Sequence, residues 1–370
     1  KIKSSLIEEN LQFGSLKAFS SPTRLTIFLK DFSEKIKIPS KEIRGPKVGV
    51  MEDVINNFLK AHNSSRKDLM EKQNDKGKFY YIKTKSREIL TSEVLKKIVV
   101  NSIASIKWKK SMRWSDTDLL WGRPLRSILA VYNREILAFS YGHLRASDCT
   151  VIEKDLDTKV VKVKTVKDYQ KLLLNNNIIL SHVEREQKII KKFESFYKVK
   201  NFKNLYDLKL LKEVTNIVED PQVLLIDFDK KYLELPKEII ISTLQNHQRY
   251  FPILDKKDEI TNFFLAVTNK KDTNNLIKDG NKRVVEARLA DAKFFWDKDR
   301  SKNLIKQIAN LKSVTFYEKL GTIYDKTQRL RQLAGLLSDD LNINKEKVQV
   351  AASISKSDLC SDLVGEYPEL

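Results

Sequence analysis

The sequence predicts an α+β fold, with mixed-sheet N-terminal domains followed by a largely helical C-terminal region. Short stretches that alternate between polar and apolar residues, typical of strands, recur as far as Thr268. From Asn281 onward, the pattern is almost continuously helical. The strands are separated by irregular connections rather than by regularly repeated helices, which favours α+β over a βαβ array.

In the first part of the chain, strand patterns alternate with two amphipathic helices. The predicted elements are a strand at 23–32, a Gly-Pro turn at 44–47, a helix at 51–62, a turn at 74–77, a strand at 78–85 and a helix at 91–109. In the last of these helices, Val94, Ile98, Ser102 and Ile106 share one face, and Thr91 is in position to cap the start. Paired strands are predicted at 127–133 and 135–141, and a polar linker at 148–157.

The second part alternates further before it becomes helical. The predicted elements are a strand at 159–164, helices at 166–174, 183–196 and 205–217, a strand at 222–228, a helix at 237–246 and a hairpin with strands at 249–254 and 262–268. Pro236 suits the start of the helix at 237–246, because a first helical turn needs no proline N–H. These elements predict α+β domains at 1–147 and 148–313, the second ending in a basic helix, and a helical region at 314–370.

The charge of the chain favours a polyanionic partner. Its 370 residues include 69 Lys and Arg against 49 Asp and Glu, a formal net charge of +20. A field of this sign attracts nucleic acid. The alternative is that a Lys-, Asn- and Ile-rich genome raises the lysine content everywhere.

Several classes of protein are disfavoured. We expect no transmembrane helix, since no apolar run reaches 18 residues, and the first ten residues do not resemble a signal peptide. Cys149 and Cys360 lie too far apart for a zinc motif or a disulfide framework and predict reduced thiols. The sequence contains no phosphate-binding Gly-rich loop, and its four histidines lack metal-ligand spacing, so we predict neither a catalytic residue nor a metal site in this chain.

Basic residues stand next to aromatic ones between Trp108 and Arg126. Arg113, Arg123 and Arg126 are candidate RNA ligands here, since Arg can bind phosphate in a bidentate manner and Trp can stack on bases. The opposite interpretation is equally open: the Trp rings belong to the core and the Arg side chains are merely solvated.

A second candidate lies at a predicted helix-to-strand junction, 243–252. His247 and Arg249 stand there among amide side chains. His247 is a candidate acid, base or RNA ligand, but a ring that caps the negative end of the helix is an equal alternative.

The third candidate is the helix predicted from Asn281. Val285, Leu289, Ala292 and Trp296 form a buried stripe at helical spacing, and the opposite, exposed face carries Arg283, Glu286, Ala290, Lys293, Asp297 and Arg300. Arg288 and Asp291 lie beside the stripe and can form a simple salt bridge. Residues 281–331 hold 13 basic and 6 acidic side chains. This density predicts an RNA-facing surface that includes Lys282, Arg283, Arg288, Arg300, Lys319, Lys326 and Arg329.

The segment 280–292, Gly-Asn-Lys-Arg-Val-Val-Glu-Ala-Arg-Leu-Ala-Asp-Ala, closely resembles the β subunit family of the bacterial two-subunit glycine–tRNA ligases. Shorter stretches resemble the same family in the same order along the chain. They are 21–25, 44–46, 112–114, 123–124, 248–252, 319–322 with 325–326, and 355–359. Each motif is weak alone, but their collinear order is specific.

The resemblance implies a cytoplasmic β subunit that recognises tRNA and supports ATP-dependent attachment of glycine on a separate catalytic α subunit. It implies an α2β2 heterotetramer, with ATP and Mg used by the partner and no cofactor held by this chain. It also implies that 314–370 opens an HD-like helical domain. We expect the chain to be a fragment that lacks an N-terminal strand and helix and the C-terminal half.

Two other functions stay open at this stage. An HD-type metal-dependent phosphohydrolase requires a His-Asp dyad, and no His in this sequence is followed by Asp. A stand-alone RNA-binding protein would bind RNA tightly without a partner, whereas a ligase subunit supports glycylation only when α is added.

Overall fold

The structure is a computed structural model, and it describes residues 1–38, 40–74, 77–84, 86–114, 116–154, 157–200, 202–203 and 206–370. The chain divides into two compact units. Unit 1 comprises Lys1–Phe19 and Leu25–Ile178, and unit 2 comprises Ser20–Arg24 and Ile179–Leu370. The predicted mixture of helices and strands is confirmed, while the predicted domain boundaries after residues 147 and 313 remain predictions.

Unit 1 consists of small sheets and short helices. Its helices are α1 (Ile2–Glu8), α2 (Glu52–Ala61), α3 (Thr91–Ala104) and α4 (Val166–Asn175). Its strands are β1 (Phe13–Ser20), β2 (Leu25–Phe32), β3 (Lys35–Ile38), β4 (Glu42–Lys47), β5 (Leu69–Asn74), β6 (Gly77–Lys83), β7 (Arg87–Leu90), β8 (Met112–Arg113), β9 (Leu120–Trp121), β10 (Ile128–Leu129), β11 (Val131–Tyr132), β12 (Glu135–Ile136), β13 (Ser140–Tyr141), β14 (Leu144–Ser147), β15 (Cys149–Lys154) and β16 (Asp157–Lys162). Most pairs are antiparallel, and β10 runs parallel to β14.

Two apolar clusters of described residues stabilise unit 1. In the larger one, Leu6 of α1 packs with Ile98 of α3 and with Ile36 of β3. In the smaller one, Ile55 and Leu59 of α2 pack against Ile82 of β6. The helix predicted at 51–62 is therefore confirmed as α2.

Several predictions in unit 1 are wrong in detail. The stretch 44–47 forms part of strand β4 rather than a turn. The register between β4 and β6 shifts between Arg44 and Lys47, which marks a bulge. A bulge can accommodate Pro46 because proline has no N–H to donate to the neighbouring strand. The stretch 148–157 is no linker, because most of it pairs as the β15–β16 hairpin. Helix α3 ends at Ala104, and Thr91 donates to the Ser33 carbonyl (2.6 Å) instead of capping. Residues 75–76 of the predicted turn, 85 of the predicted strand and 155–156 of the predicted linker lie outside the described residues.

Unit 2 contains longer helices and one three-stranded sheet. Its helices are α5 (His182–Lys200), α6 (Leu208–Thr215), α7 (Lys237–Ser242), α8 (Leu276–Arg300), α9 (Leu304–Gln307), α10 (Ile323–Asp340), α11 (Lys345–Ile354) and α12 (Asp362–Glu366). Its strands are β17 (Gln222–Asp227), β18 (Phe251–Leu254), β19 (Ile260–Thr268), β20 (Thr315–Tyr317) and β21 (Gly321–Thr322). Residue 205, where a helix was predicted to begin, lies outside the described residues. The predicted hairpin is confirmed, since β18 pairs antiparallel with β19.

The sheet β17-β19-β18 lies between two apolar layers. Successive side chains of a strand point to opposite faces. In β19, Phe264 and Ala266 join the cluster that contains Val285 of α8, whereas Leu265 joins the cluster that contains Phe193 of α5. This alternation fixes α8 against one face of the sheet.

Residues Ser20–Arg24 are bound into unit 2 by a buried polar network. Glu219 accepts hydrogen bonds from Thr23 Oγ1 (2.7 Å), Arg24 Nη1 (3.0 Å) and Ser21 Oγ. Arg185 is fully buried and donates to the carbonyl oxygens of Ser20, Ile179, Leu180 and Thr215. Burial lowers the pKa of the Arg185 guanidinium, and the charge of Glu219 opposes that shift. The motif at 21–25 is therefore engaged in holding the fold together.

Among the described residues, no helix is both long enough and apolar enough to cross a membrane.

Candidate nucleic-acid interface

Helix α8 presents the basic face that the sequence predicts. Val285, Leu289 and Ala292 are fully buried, and Trp296 is partly buried against the same cluster. On the other side, Arg283 and Arg300 are exposed. The 3.6-residue pattern therefore predicted the buried stripe, whereas Glu286 and Lys293 of the predicted exposed face are only partly exposed.

The lysines of α8 are held by carboxylates. Lys282 lies 3.0 Å from Asp227, Lys293 lies 3.0 Å from Glu234, and Lys298 lies 2.9 Å from Asp362. The hydrogen bond from Lys282 is the main reason why the pKa of Asp227 lies below its usual range. The same bond raises the pKa of Lys282. Lys282, a candidate RNA ligand from the sequence, is thus already engaged within the protein.

The arginines of α8 differ from its lysines. Within the part of the chain that the structure describes, Arg283, Arg288 and Arg300 have no carboxylate within ion-pair distance. The salt bridge considered for Arg288 with Asp291 is therefore not formed. Arg300 lies over the Trp296 ring, 5.9 Å from its centroid. These guanidinium groups keep their donors available for an external anion.

Two residues of the 243–252 junction have hydrogen-bond partners within the protein. Residues Thr243–His247 form a π-helical turn. The Nε2 atom of His247 lies 3.2 Å from Glu369 Oε1, and the centre of the His247 ring lies 4.8 Å from that of Tyr367. His247 therefore contacts a carboxylate rather than a carbonyl at the end of the helix. Arg249 instead caps the turn by donating to the carbonyls of Gln245 and Asn246, and its Nε also bonds Glu213 (2.6 Å).

Arg249 has φ of 62°, in the left-handed region that is costly for a residue with a Cβ. Strained backbone and π-turns both concentrate at functional sites. The strain here is maintained by the bonds from the Arg249 side chain and by Tyr250, which hydrogen-bonds Asn281 of α8. The junction is therefore rigidly attached to the arginine-bearing helix.

A cavity of about 370 Å³ opens between α8 and this junction. Helix α8 contributes Arg288, Asp291, Phe294 and Phe295. The other wall is formed by His247, Glu366 and Tyr367. Sequence reasoning did not single out Phe294, which is 62% exposed, although the helical spacing places this aromatic residue away from the buried stripe.

The basic–aromatic stretch of unit 1 is arranged otherwise. Trp121 is buried, its ring centre 4.8 Å from that of Trp108, and its carbonyl accepts the Trp114 indole N–H (3.0 Å). This favours the core interpretation of the tryptophans. Arg113 lies 3.4 Å from Asp118, Arg126 is paired with Glu153, and Arg123 is exposed.

The remaining candidates lie near the start of α10. Lys319 and Arg329 are exposed, and Lys326 lies over the Phe316 ring at 4.2 Å. Asp325 completes a capping box with Thr322. The hydrogen bond from the Thr322 N–H is the main cause of the lowered Asp325 pKa, to which Arg329 contributes.

Among the described residues, no group of three or more His, Cys, Asp and Glu side chains is placed to hold a metal ion. Neither Cys149 nor Cys360 takes part in a disulfide in the described part of the chain.

Unpaired arginines beside an aromatic-lined cavity have the chemistry of a nucleic-acid-binding surface. Comparison with known proteins identifies the family to which the chain belongs. The model of the family "Glycyl-tRNA synthetase beta subunit" matches residues 1–370, and the chain belongs to that family.

Curated relatives agree with this assignment. The glycine–tRNA ligase beta subunit of Rickettsia prowazekii (strain Madrid E) is 37% identical over 371 residues, covering 100% of this chain and 55% of the relative. Those of Rickettsia bellii (strain OSU 85-389) and Rickettsia akari (strain Hartford) are 37% and 36% identical, covering 100% of this chain and 56% and 55% of the relatives. The chain thus spans about 55% of the length of these relatives.

Proposed function

We propose that this chain is the tRNA-recognising part of a glycine–tRNA ligase β subunit. It supports the ATP-dependent attachment of glycine to tRNA on a separate α subunit, which holds the adenylate-forming site and uses ATP and Mg. The observation that carries the proposal is the family match over the whole chain, together with the unpaired arginine face of α8.

In this proposal, Arg283, Arg288 and Arg300 bind the phosphate backbone of the tRNA. Their donors are free, and a guanidinium matches phosphate in geometry as well as in charge. The side chains with partners of their own contribute less, because binding RNA first requires them to leave those partners. The remaining proposed tRNA ligands are Arg113, Arg123, Arg126, His247, Arg249, Lys282, Lys319, Lys326 and Arg329.

The proposal extends to the assembly. We infer a cytoplasmic α2β2 heterotetramer and an HD-like helical domain that begins at about residue 314. The packing of α10 against α11 supports a helical region here. The domain limits 1–147, 148–313 and 314–370 belong to the same proposal.

The test is reconstitution of glycine attachment. A polypeptide that contains this chain at the full length of its relatives is mixed with the α subunit, glycine, ATP and tRNA, and charged tRNA is measured. We expect charging only when both subunits are present. Equal charging by α alone would contradict a role of this chain in tRNA recognition.

A further inference from the structure

The cavity beside α8 has a rigid inner wall. Tyr367 is 4% exposed, accepts a hydrogen bond from Thr243 Oγ1 (3.3 Å) and donates one to the Arg288 carbonyl (3.5 Å). The His247 ring packs on it and contacts Glu369. Burial raises the pKa of Glu369, but the hydrogen bonds that Glu369 accepts, chiefly from Ser242, more than offset this. The pKa of Glu369 is therefore lowered, and its carboxylate stays ionised. A wall so fixed is preformed for a ligand.

Three charged side chains line the cavity without partners of their own. Arg288, Asp291 and Glu366 form no ion pair within the described ranges, with each other or with any other residue. This differs from the lysines of the same helix, which are held by carboxylates. The cavity therefore presents one set of hydrogen-bond donors and two carboxylate acceptors to whatever enters it.

The mouth of the cavity offers an aromatic face. Phe294 is 62% exposed, and Phe295 supports it edge-on with ring centres 5.4 Å apart. The Phe294 ring is therefore accessible to a planar ligand. RNA-binding proteins use such rings to stack bases that are not paired.

We propose that this cavity binds an unpaired guanine of the RNA, an inference that rests on the proposed tRNA-binding function. Guanine carries two adjacent acceptors, O6 and N7, which a guanidinium such as Arg288 can address together. Its Watson–Crick edge carries the N1–H and N2–H donors, which suit the carboxylates of Asp291 and Glu366. Adenine, cytosine and uracil present neither this donor pair nor the O6/N7 acceptor pair. The volume of about 370 Å³ is sufficient for a stacked base.

The test uses fluorescein-labelled pentaribonucleotides UUXUU, in which X is G, A, C or U, with the chain of 370 residues. Fluorescence anisotropy should show the guanine oligomer binding about tenfold more tightly than the others. Combining Asp291→Asn with Glu366→Gln should remove most of this preference, because each side chain loses its negative charge and one of the two acceptor oxygens that face the guanine donors. Asp279→Asn with Glu318→Gln removes the same charge at exposed positions outside the cavity and should leave the preference intact.

Phe294 provides a separate measurement. Phe294→Leu should weaken all four oligomers by about tenfold, and Phe294→Tyr should restore binding because it keeps the stacking face. Equal wild-type affinity for the four oligomers, or a guanine preference that persists in the double variant, would overturn the inference. If Arg283→Glu still weakens tRNA binding while the oligomers show no base preference, the proposed function stands without this pocket. If the wild-type chain binds neither tRNA nor any oligomer, both proposals are wrong.

Discussion

The basic–aromatic stretch of unit 1 and helix α8 of unit 2 have similar compositions but use their arginines differently. In unit 1, Arg113 and Arg126 are paired with carboxylates, and Trp121 is part of the core. In α8, the buried stripe is aliphatic, and Arg283 and Arg288 have no carboxylate partner among the described residues. Arginines beside aromatics in the sequence therefore indicate two situations that only the contacts distinguish.

Under the proposed function, this difference means that availability of the guanidinium group, rather than its charge, distinguishes a binding residue. A paired arginine must lose its carboxylate before it can bind phosphate, whereas an unpaired one loses only water. The same reasoning divides α8 itself, where the lysines bind Asp227, Glu234 and Asp362. The following substitutions change paired and unpaired charged side chains in turn and so test this distinction.

The largest effect is expected where an arginine is most completely paired. Glu219→Ala leaves Arg24 without its carboxylate at a site where both side chains are only 11% exposed. Removing one partner of such a pair typically costs about 3 kcal/mol or more of unfolding free energy. Urea denaturation measures this loss. The control, Glu52→Ala, breaks the exposed pair with Arg66 and should shift the unfolding midpoint far less. Equal shifts for both variants would contradict a structural role for Arg24.

The next largest effect concerns RNA. Reversing Arg283, Arg288 and Arg300 to Glu should lower tRNA affinity by about a hundredfold near ~0.1 M salt and reduce the slope of log K against log salt by about 2 to 3. The physical reason is that each lost phosphate contact no longer releases a counterion. Filter binding at several salt concentrations measures both quantities.

The control reverses two paired arginines of unit 1, and its effect is compared with that of α8 per arginine reversed. Arg113→Glu combined with Arg126→Glu should lower tRNA affinity by less than about tenfold, because these side chains are already engaged. If the α8 variant loses thermal stability but keeps its tRNA affinity, its arginines are structural. If both variants lose affinity equally, pairing does not decide which arginines bind.

Much of α8 could be predicted from the sequence, since a long amphipathic helix repeats its buried stripe over many turns. Val285, Leu289 and Ala292 are buried as predicted, and Trp296 is only partly so. The hairpin β18–β19 was also predictable, because two strands adjacent in sequence pair across a short charged turn. Sequence patterns therefore predict an element correctly when its stabilising contacts are between residues that are close in the chain.

The other features depend on contacts between residues distant in the chain. The motif at 21–25 bonds Glu219, nearly two hundred residues away, and no local pattern indicates such a partner. The cavity similarly combines Arg288 with Tyr367. The division of residues 127–141 into several short strands was also not predicted. Only the β11–β12 hairpin of this stretch agrees with the predicted strand pair, and its turn has positive φ at Asn133 and Arg134.

A smaller effect should separate the lysines of α8 from its arginines. Lys282→Met removes the hydrogen bond that lowers the pKa of Asp227, so this pKa should rise toward its ordinary value in an NMR titration. Tyr250 and the arginines are untouched, and tRNA affinity should change by less than the triple reversal changes it.

The sign of the pH dependence follows from the direction of that shift. A carboxylate with a lowered folded pKa stabilises the fold fully above its unfolded pKa, and loses this contribution as the pH falls through the folded value. The stability difference between wild type and Lys282→Met should therefore be present above about pH 4 and vanish in stronger acid. It should not exceed about 1 kcal/mol, because both side chains are more than a third exposed and solvent screens the pair. A difference that grows in acid would contradict the assignment.

The smallest effect comes from creating an unpaired arginine. Glu153→Gln releases Arg126 from its carboxylate while keeping the shape of the side chain. If pairing limits how well Arg126 binds RNA, tRNA affinity should rise by about twofold, in keeping with the small energies of exposed ion pairs. Part of any rise comes from the added net positive charge, so the control is Glu135→Gln, which neutralises an exposed carboxylate on β12. A rise that is equal in both variants would mean that only net charge matters, and the distinction between paired and unpaired arginines would then not extend to unit 1.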